Sequence, residues 1–299
     1  MHFTRSLILG AGLLLAMEAS AQDAANRTTL LPSMTVAGAV VPGENKIVGA
    51  YGQPEWSARR PFPGVSVYVV PAGEAEVELG YLVQSFPTER GRGEFTQEIE
   101  LGLGHRFQVA MENSVRNYRE PATPTQAWRE DSFTGSLRYA VADWGKVPFN
   151  PALSAGWRHN QRTRDAWQLG VVVGDEITPR WHWAANLGTE HPLGSAGRRE
   201  VTGDMAITYS VTNETLNLGL QTGWRSRHGG GEPGTSYAVG GPCFQYRPWD
   251  EFHFNAACMW SDHVSGATTR EIQISIGFEF GEGADDHDGE AKGGGKFDR

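Results

Sequence analysis

The sequence predicts an all-β fold, a transmembrane antiparallel up-and-down β-barrel of about twelve strands. Three observations carry that expectation. The first is strict period-two alternation. It is clearest from Glu271 to Phe280, where Ile272, Ile274, Ile276, Phe278 and Phe280 are apolar and the residues between them are polar or Gly. Such a strand meets an oily medium on one face and a wet one on the other. The second is composition: ten Trp, thirteen Phe and 38 Gly in a chain that is hydrophilic on average. A barrel accommodates that mixture, because outward and inward residues cancel in any hydropathy average. The third is the spacing of the connections, short turns alternating with longer polar links, as in bacterial barrels.

The ends of the chain set the context. Arg5, the apolar run Leu7 to Ala16 and the Ala19-Ser20-Ala21 site form a secretory signal peptide over residues 1–21. The run is shorter than the roughly 20 residues a spanning helix needs. Export followed by a barrel predicts the outer membrane of a Gram-negative bacterium. An even number of strands puts both termini in the periplasm. Residues 22–73, with Pro at 32, 42, 54, 61, 63 and 71, read as an extended periplasmic N-terminal segment. Within it, Leu31 to Gly38 loosely resembles the short box by which large outer-membrane receptors contact the TonB energiser, the other reading being a plain disordered leader. Val65 to Val70 is β-prone, and either packs at the barrel mouth or leads into the first strand. Residues 281–299 read as a disordered acidic tail, in which Asp285, Asp286, His287 and Asp288 are a poor metal site.

The barrel is expected over 74–280. Its first strand, 74–85, sets Val77, Leu79, Tyr81 and Val83 against Glu74, Glu76 and Glu78. The second, 94–104, sets Phe95, Ile99, Leu101 and Leu103 against Glu98 and Glu100. The third, 107–118, opposes Val109 and Met111 to Glu112 and Arg116; the fourth, 132–142, opposes Phe133, Leu137 and Tyr139 to Ser136 and Arg138. Leu153 and Trp157 mark the fifth, Trp167 to Val173 the sixth, and Trp181 to Leu187 the seventh, with His182 on its polar face. Val201 to Tyr209 and Leu216 to Trp224 mark the eighth and ninth. The tenth, 235–246, is the least regular; Phe252 to Trp260 marks the eleventh, and Glu271 to Phe280 is the last.

Turn chemistry falls at 105–106, 143–149, 175–179, 211–215 and 247–251. Longer polar links are expected at 86–93, 119–131, 158–165, 188–199, 225–234 and 261–267. Aromatics sort to strand ends: Phe107, Trp144, Phe149, Trp181, Trp249, Phe252 and Phe280 near the turns, and Phe95, Phe133, Trp157, Trp167, Trp224, Tyr237 and Trp260 near the links. Two belts match two membrane interfaces.

Glu74-Ala75-Glu76-Val77-Glu78-Leu79-Gly80-Tyr81, the turn segment Ile99 to Phe107 and Asp175 to Trp181 resemble the MetA-pathway phenol-degradation-like transporters, small outer-membrane barrels. The resemblance implies an outer-membrane location and passage of small, aromatic compounds, and it carries over no functional residue. The tail after Phe280 departs from that pattern, since such barrels end on the aromatic that the barrel-assembly machinery reads.

The polar face is expected to line a lumen. Glu74, Glu76, Glu78, Glu98, Glu100, Glu271 and Glu279 fall on adjacent strands once the last pairs with the first, an acidic wall opposite Arg116, Arg138, Arg158 and His182. A transverse field would orient a small solute in a narrow pore; the alternative is a ladder of lumen salt bridges that plugs and stiffens the barrel. The enzyme alternative is a lipid hydrolase using His263 and Ser265, whose parity faces the lumen rather than lipid. The sequence singles out no catalytic set, cofactor or metal site. Cys243 and Cys258 form a cross-strand disulfide if their hairpin turns about Asp250–Glu251, and a one-residue shift parts them. The expected partners are outer-membrane lipid, lipopolysaccharide, the assembly machinery and a small solute. A formal charge of −9 with no basic run argues against nucleic acid.

Overall fold

The computed structural model describes residues 47–59, 61–85, 91–118, 127–194, 197–212, 215–229, 234–262 and 268–281. The signal peptide, the 31–38 box, His263, Ser265 and the tail beyond 281 lie outside them. The first elements are the two-residue strands β1 (Ile47–Val48) and β2 (Gln53–Pro54), paired with each other, and a one-turn helix α1 (Glu55–Ala58). Then come β3 (Ala75–Ser85), β4 (Arg92–Gly102), β5 (Phe107–Tyr118), β6 (Ala127–Ala140), β7 (Ala152–Asn160) and β8 (Ala166–Thr178). They are followed by β9 (Trp181–Pro192), β10 (Arg198–Thr212), β11 (Leu216–Gly229), β12 (Thr235–Trp249), β13 (Phe252–Asp262) and β14 (Thr268–Phe280).

Strands β3 to β14 form a closed, twelve-stranded antiparallel barrel in which each pairs with its neighbours in sequence. The seam joins β14 to β3, with Phe280 opposite Ala75 and Phe278 opposite Val77. Closure leaves no unpaired strand edge. Alternation does the sorting predicted for it. Each of the twelve strands puts at least one exposed, large apolar side chain on the outer face, from Tyr81 on β3 to Ile272 and Phe278 on β14, with Leu220 57 % exposed.

Several strands run further than the apolar rhythm suggests. β6 begins at Ala127, inside the expected 119–131 link, and β9 and β11 continue to Pro192 and Gly229. At these ends both faces are polar, as in Arg225, Ser226 and Arg227, so the ladder continues after the alternation has faded. On the opposite side, His105 and Arg106 make a tight turn with φ of +59° and +66°. The hairpin is closed by Leu103 N donating to Phe107 O at 2.7 Å.

Before β3, residues 47–59 and 61–73, read from the sequence as part of an extended segment with 65–70 at the barrel mouth or leading into the first strand, are packed inside the short-turn end of the barrel. Tyr51, Trp56, Phe62, Val65, Val67, Tyr68 and Val69 bury themselves against Ala140, Ala152, Val172, Ala184 and Ala206 of the inner wall. The wall is apolar and small where the segment is apolar and large. Trp144, expected in the outer belt, turns inward from the 141–151 link and packs edge-on against Trp56 and Tyr68, with ring centroids 5.5 and 5.3 Å apart. Gly174 and Gly102 are two places where this packing is close. A Cβ at Gly174 would stand 3.1 Å from Val67 Cγ1, and one at Gly102 would overlap the Pro71 carbonyl.

Candidate functional site

The lumen has two levels. At the short-turn level every barrel strand contributes an inward residue that is at least nine-tenths buried, from Glu76 on β3 round to Ser275 on β14. The inner segment is what covers them, and its backbone is satisfied by the wall. Arg138 donates to Tyr68 O at 3.3 Å and Ser66 Oγ at 3.2 Å, and Gln108 Oε1 accepts from Val70 N at 2.9 Å. The Asn186 amide brackets Ser66, accepting from its N–H at 3.0 Å and donating to its carbonyl at 2.9 Å. Tyr68 OH donates to Ala142 O at 2.6 Å, and Tyr51 OH to Leu103 O at 3.1 Å. Gln245 donates to Arg59 O at 3.1 Å. His182 receives Trp56 as a stacked ring. Arg138 and His182, expected to line the lumen, both face it and there contact the inner segment.

The second level, toward the longer links, is charged and half-exposed. Arg116 bonds Glu94 at 2.7 Å and Asp131 at 2.9 Å; Arg158 bonds Glu190 at 3.0 Å. Arg225 bonds Asp204 at 2.9 Å, and Arg227 bonds Glu200 at 2.7 Å. Arg92 donates to Gln84, which donates to Glu271 at 3.0 Å. The expected glutamates do stand side by side on β14, β3 and β4, while at this level the arginines are matched by local carboxylates on nearby strands, Arg158 reaching across β8 to Glu190. Arg225 and Arg227 were missed because they lie past the apolar rhythm of β11. Among these pairs, Val239, Cys243, Ala257 and Met259 form a buried apolar patch on β12 and β13, with Tyr237 against it. Tyr237 thus belongs to the inner wall, contrary to its expected place in the outer belt.

Glu76, Glu78, Glu98, Glu100, Glu271 and Glu279 all stand on the inward register, and Glu74 lies just before β3 at the barrel mouth. Glu76 faces Glu100, and Glu98 sits between Glu78 and Glu112. Like charges directly opposite one another destabilise a sheet, so this row needs positive charge nearby. Part of it comes from Arg247, whose side chain is 2 % exposed and which donates to both Glu279 oxygens, the first at 2.7 Å. The rest of the surroundings includes His253 on β13. Its ring lies over Gly277 of β14, where any Cβ would strike it. Neither Arg247 nor His253 was singled out from the sequence, because each reaches Glu279 only across strand registers that a single strand does not reveal.

Of the two arrangements open to Cys243 and Cys258, the structure shows the one that parts them, and both thiols are free. Cys243 pairs in register with Ala257 and is buried on the inner wall; Cys258 is exposed on the outer one. A bulge between Tyr246 and Trp249 shifts the hairpin by the one residue that parts them.

No protein-family model matches the chain, and no curated protein does. Among solved structures, an outer membrane channel from Pseudomonas putida F1 aligns at 11 % identity and TM-score 0.49, covering 73 % of this chain and 99 % of that one. The NanC porin aligns at 12 % and 0.47, covering 68 % and 98 %. The KdgM porin in complex with disordered oligogalacturonate aligns at 10 % and 0.45, covering 68 % and 99 %.

Proposed function

We propose that this chain is an outer-membrane β-barrel channel for small polar solutes, held shut at its short-turn end by its own segment 47–73. The observation that carries the reading is the pairing of a predominantly apolar exterior with a charged interior. Twelve strands expose large apolar side chains outward, an area far beyond what a soluble monomer leaves in water. The polar wall inside is suited to water and a hydrated solute. Lipid and lipopolysaccharide would cover the outer band, and the barrel-assembly machinery would insert it. Aromatic solutes are the narrower form of this proposal. Tyr237, only partly buried against the patch of Val239 and Met259, offers a ring an apolar contact among the charged pairs.

The inner segment is held by side-chain packing, scattered hydrogen bonds and the Arg59–Asp250 ion pair, with no strand pairing to the wall among the described residues. Release from the lumen therefore costs less than opening the barrel. Planar-bilayer conductance tests the reading. The full chain should carry little current, and a Trp56→Ala, Tyr68→Ala double variant should carry steady current. Silence from both, in either orientation, would rule out transport and leave a stiffened structural barrel.

A further inference from the structure

Near the short-turn end, three side chains from two distant parts of the sequence converge on one point. Glu76 and Glu78 stand two residues apart on the inward face of β3, and His253 reaches them from β13 across Gly277 of β14. Their ligand atoms all lie within 4.8 Å of one another. His253 Nε2 is 3.6 Å from Glu76 Oε1 and 3.5 Å from Glu78 Oε2. Those separations are long for hydrogen bonds, which peak near 2.9 Å. They match two donors sharing one ion: ligands at about 2.1 Å in a tetrahedron stand about 3.4 Å apart. The ring is fully buried, and neither of its nitrogens makes a hydrogen bond.

The other side of the ring is arranged as a metal-ligating histidine requires. Nδ1 faces Glu279 Oε1 at 3.5 Å, and Glu279 is itself gripped by Arg247. A carboxylate at Nδ1 holds the proton there and turns the Nε2 lone pair toward the two glutamates, the carboxylate–histidine arrangement of metal sites. Gly277 leaves the imidazole room to lie against the wall in that orientation. Glu78, whose side chain is 29 % exposed, is the open side, where water would complete the coordination.

We propose that Glu76, Glu78 and His253 bind one divalent ion of the zinc class inside the barrel, oriented by Glu279 and Arg247. One imidazole and two carboxylates form a three-ligand set with a position left for water. The nitrogen donor discriminates against Mg²⁺ and Ca²⁺, which take oxygen ligands. The ion would also relieve the repulsion in the row of facing glutamates. This inference is independent of whether the barrel conducts.

The test is calorimetric titration of the full-length barrel, stripped with chelator in detergent, using ZnCl2. One equivalent should bind, His253→Ala should abolish the uptake, and Glu279→Gln should weaken it about 10- to 100-fold. Zinc-edge absorption should show one imidazole nitrogen among oxygen ligands. Heat-shifted migration on gels confirms that each variant is a closed barrel; Glu78→Gln, at the exposed ligand, serves where His253→Ala does not fold. His287→Ala, in the acidic tail, should leave binding unchanged. The proposal is overturned if no zinc binds or if CaCl2 binds more tightly than ZnCl2. It is equally overturned if binding survives in both ligand variants, or if the tail variant loses it.

Discussion

Trp56 lies flat against His182, ring centroids 4.3 Å apart and planes within 20°. One ring belongs to the segment inside the barrel and the other to its wall, so the contact anchors that segment to the wall. Replacing Trp56 by Ala removes this stack and the edge-on contacts with Phe62 and Trp144. The loss should weaken docking of 47–73 by about 3–5 kcal/mol, the range for a buried Trp. Limited proteolysis should cut that segment while β3 to β14 stay intact.

Arg138 tests the polar half of the same anchorage. Arg138→Ala deletes its bonds to Tyr68 O and Ser66 Oγ and should cost about 1.5–3 kcal/mol, the range for bonds to a charged donor. Amide exchange should quicken across residues 65–70 and remain slow in β5 and β6.

Arg247 and Glu279 form a buried ion pair at the mouth, beside a cleft that both residues line. Arg247→Met leaves Glu279 without its counter-charge and should lower barrel stability by about 3–5 kcal/mol. The double variant Arg247→Met, Glu279→Gln should recover most of that loss. Denaturant midpoints of the three proteins check it, and equal midpoints would refute the pair's role.

The two cysteines make a prediction of opposite sense for each. A maleimide should label Cys258, exposed outward, and leave Cys243 unmodified until the barrel is denatured. Mobility should be the same with and without reductant.

How much of this was legible beforehand follows from how far each signal reaches. Period two is a property of one strand, so β3 to β14 and their inward residues could be read from local sequence. The Cys243 register was not legible, because a single bulge after Tyr246 reverses the outcome and leaves no mark in composition. The inner segment was hidden for a different reason. Val65, Val67 and Val69 look the same whether they meet lipid, solvent at a mouth or a matching wall; only Ala140, Ala152 and Ala184, scattered over three strands, show the cavity they fill. His253 was on the expected face, but its partners Glu76 and Glu78 lie most of the barrel away in sequence.

The seam between β14 and β3 has a consequence for the order of events during assembly. The stopper leads directly into β3, rooted where Gly73 N donates to Gly102 O and Gly102 N to Glu74 O. The last strand made must find the first, a pairing that closes nearly the whole chain and therefore forms late. Until then the sheet is an open trough, and the segment can lie down along its concave side as the hairpins add. Closing the seam captures it there, so the finished wall never has to be threaded.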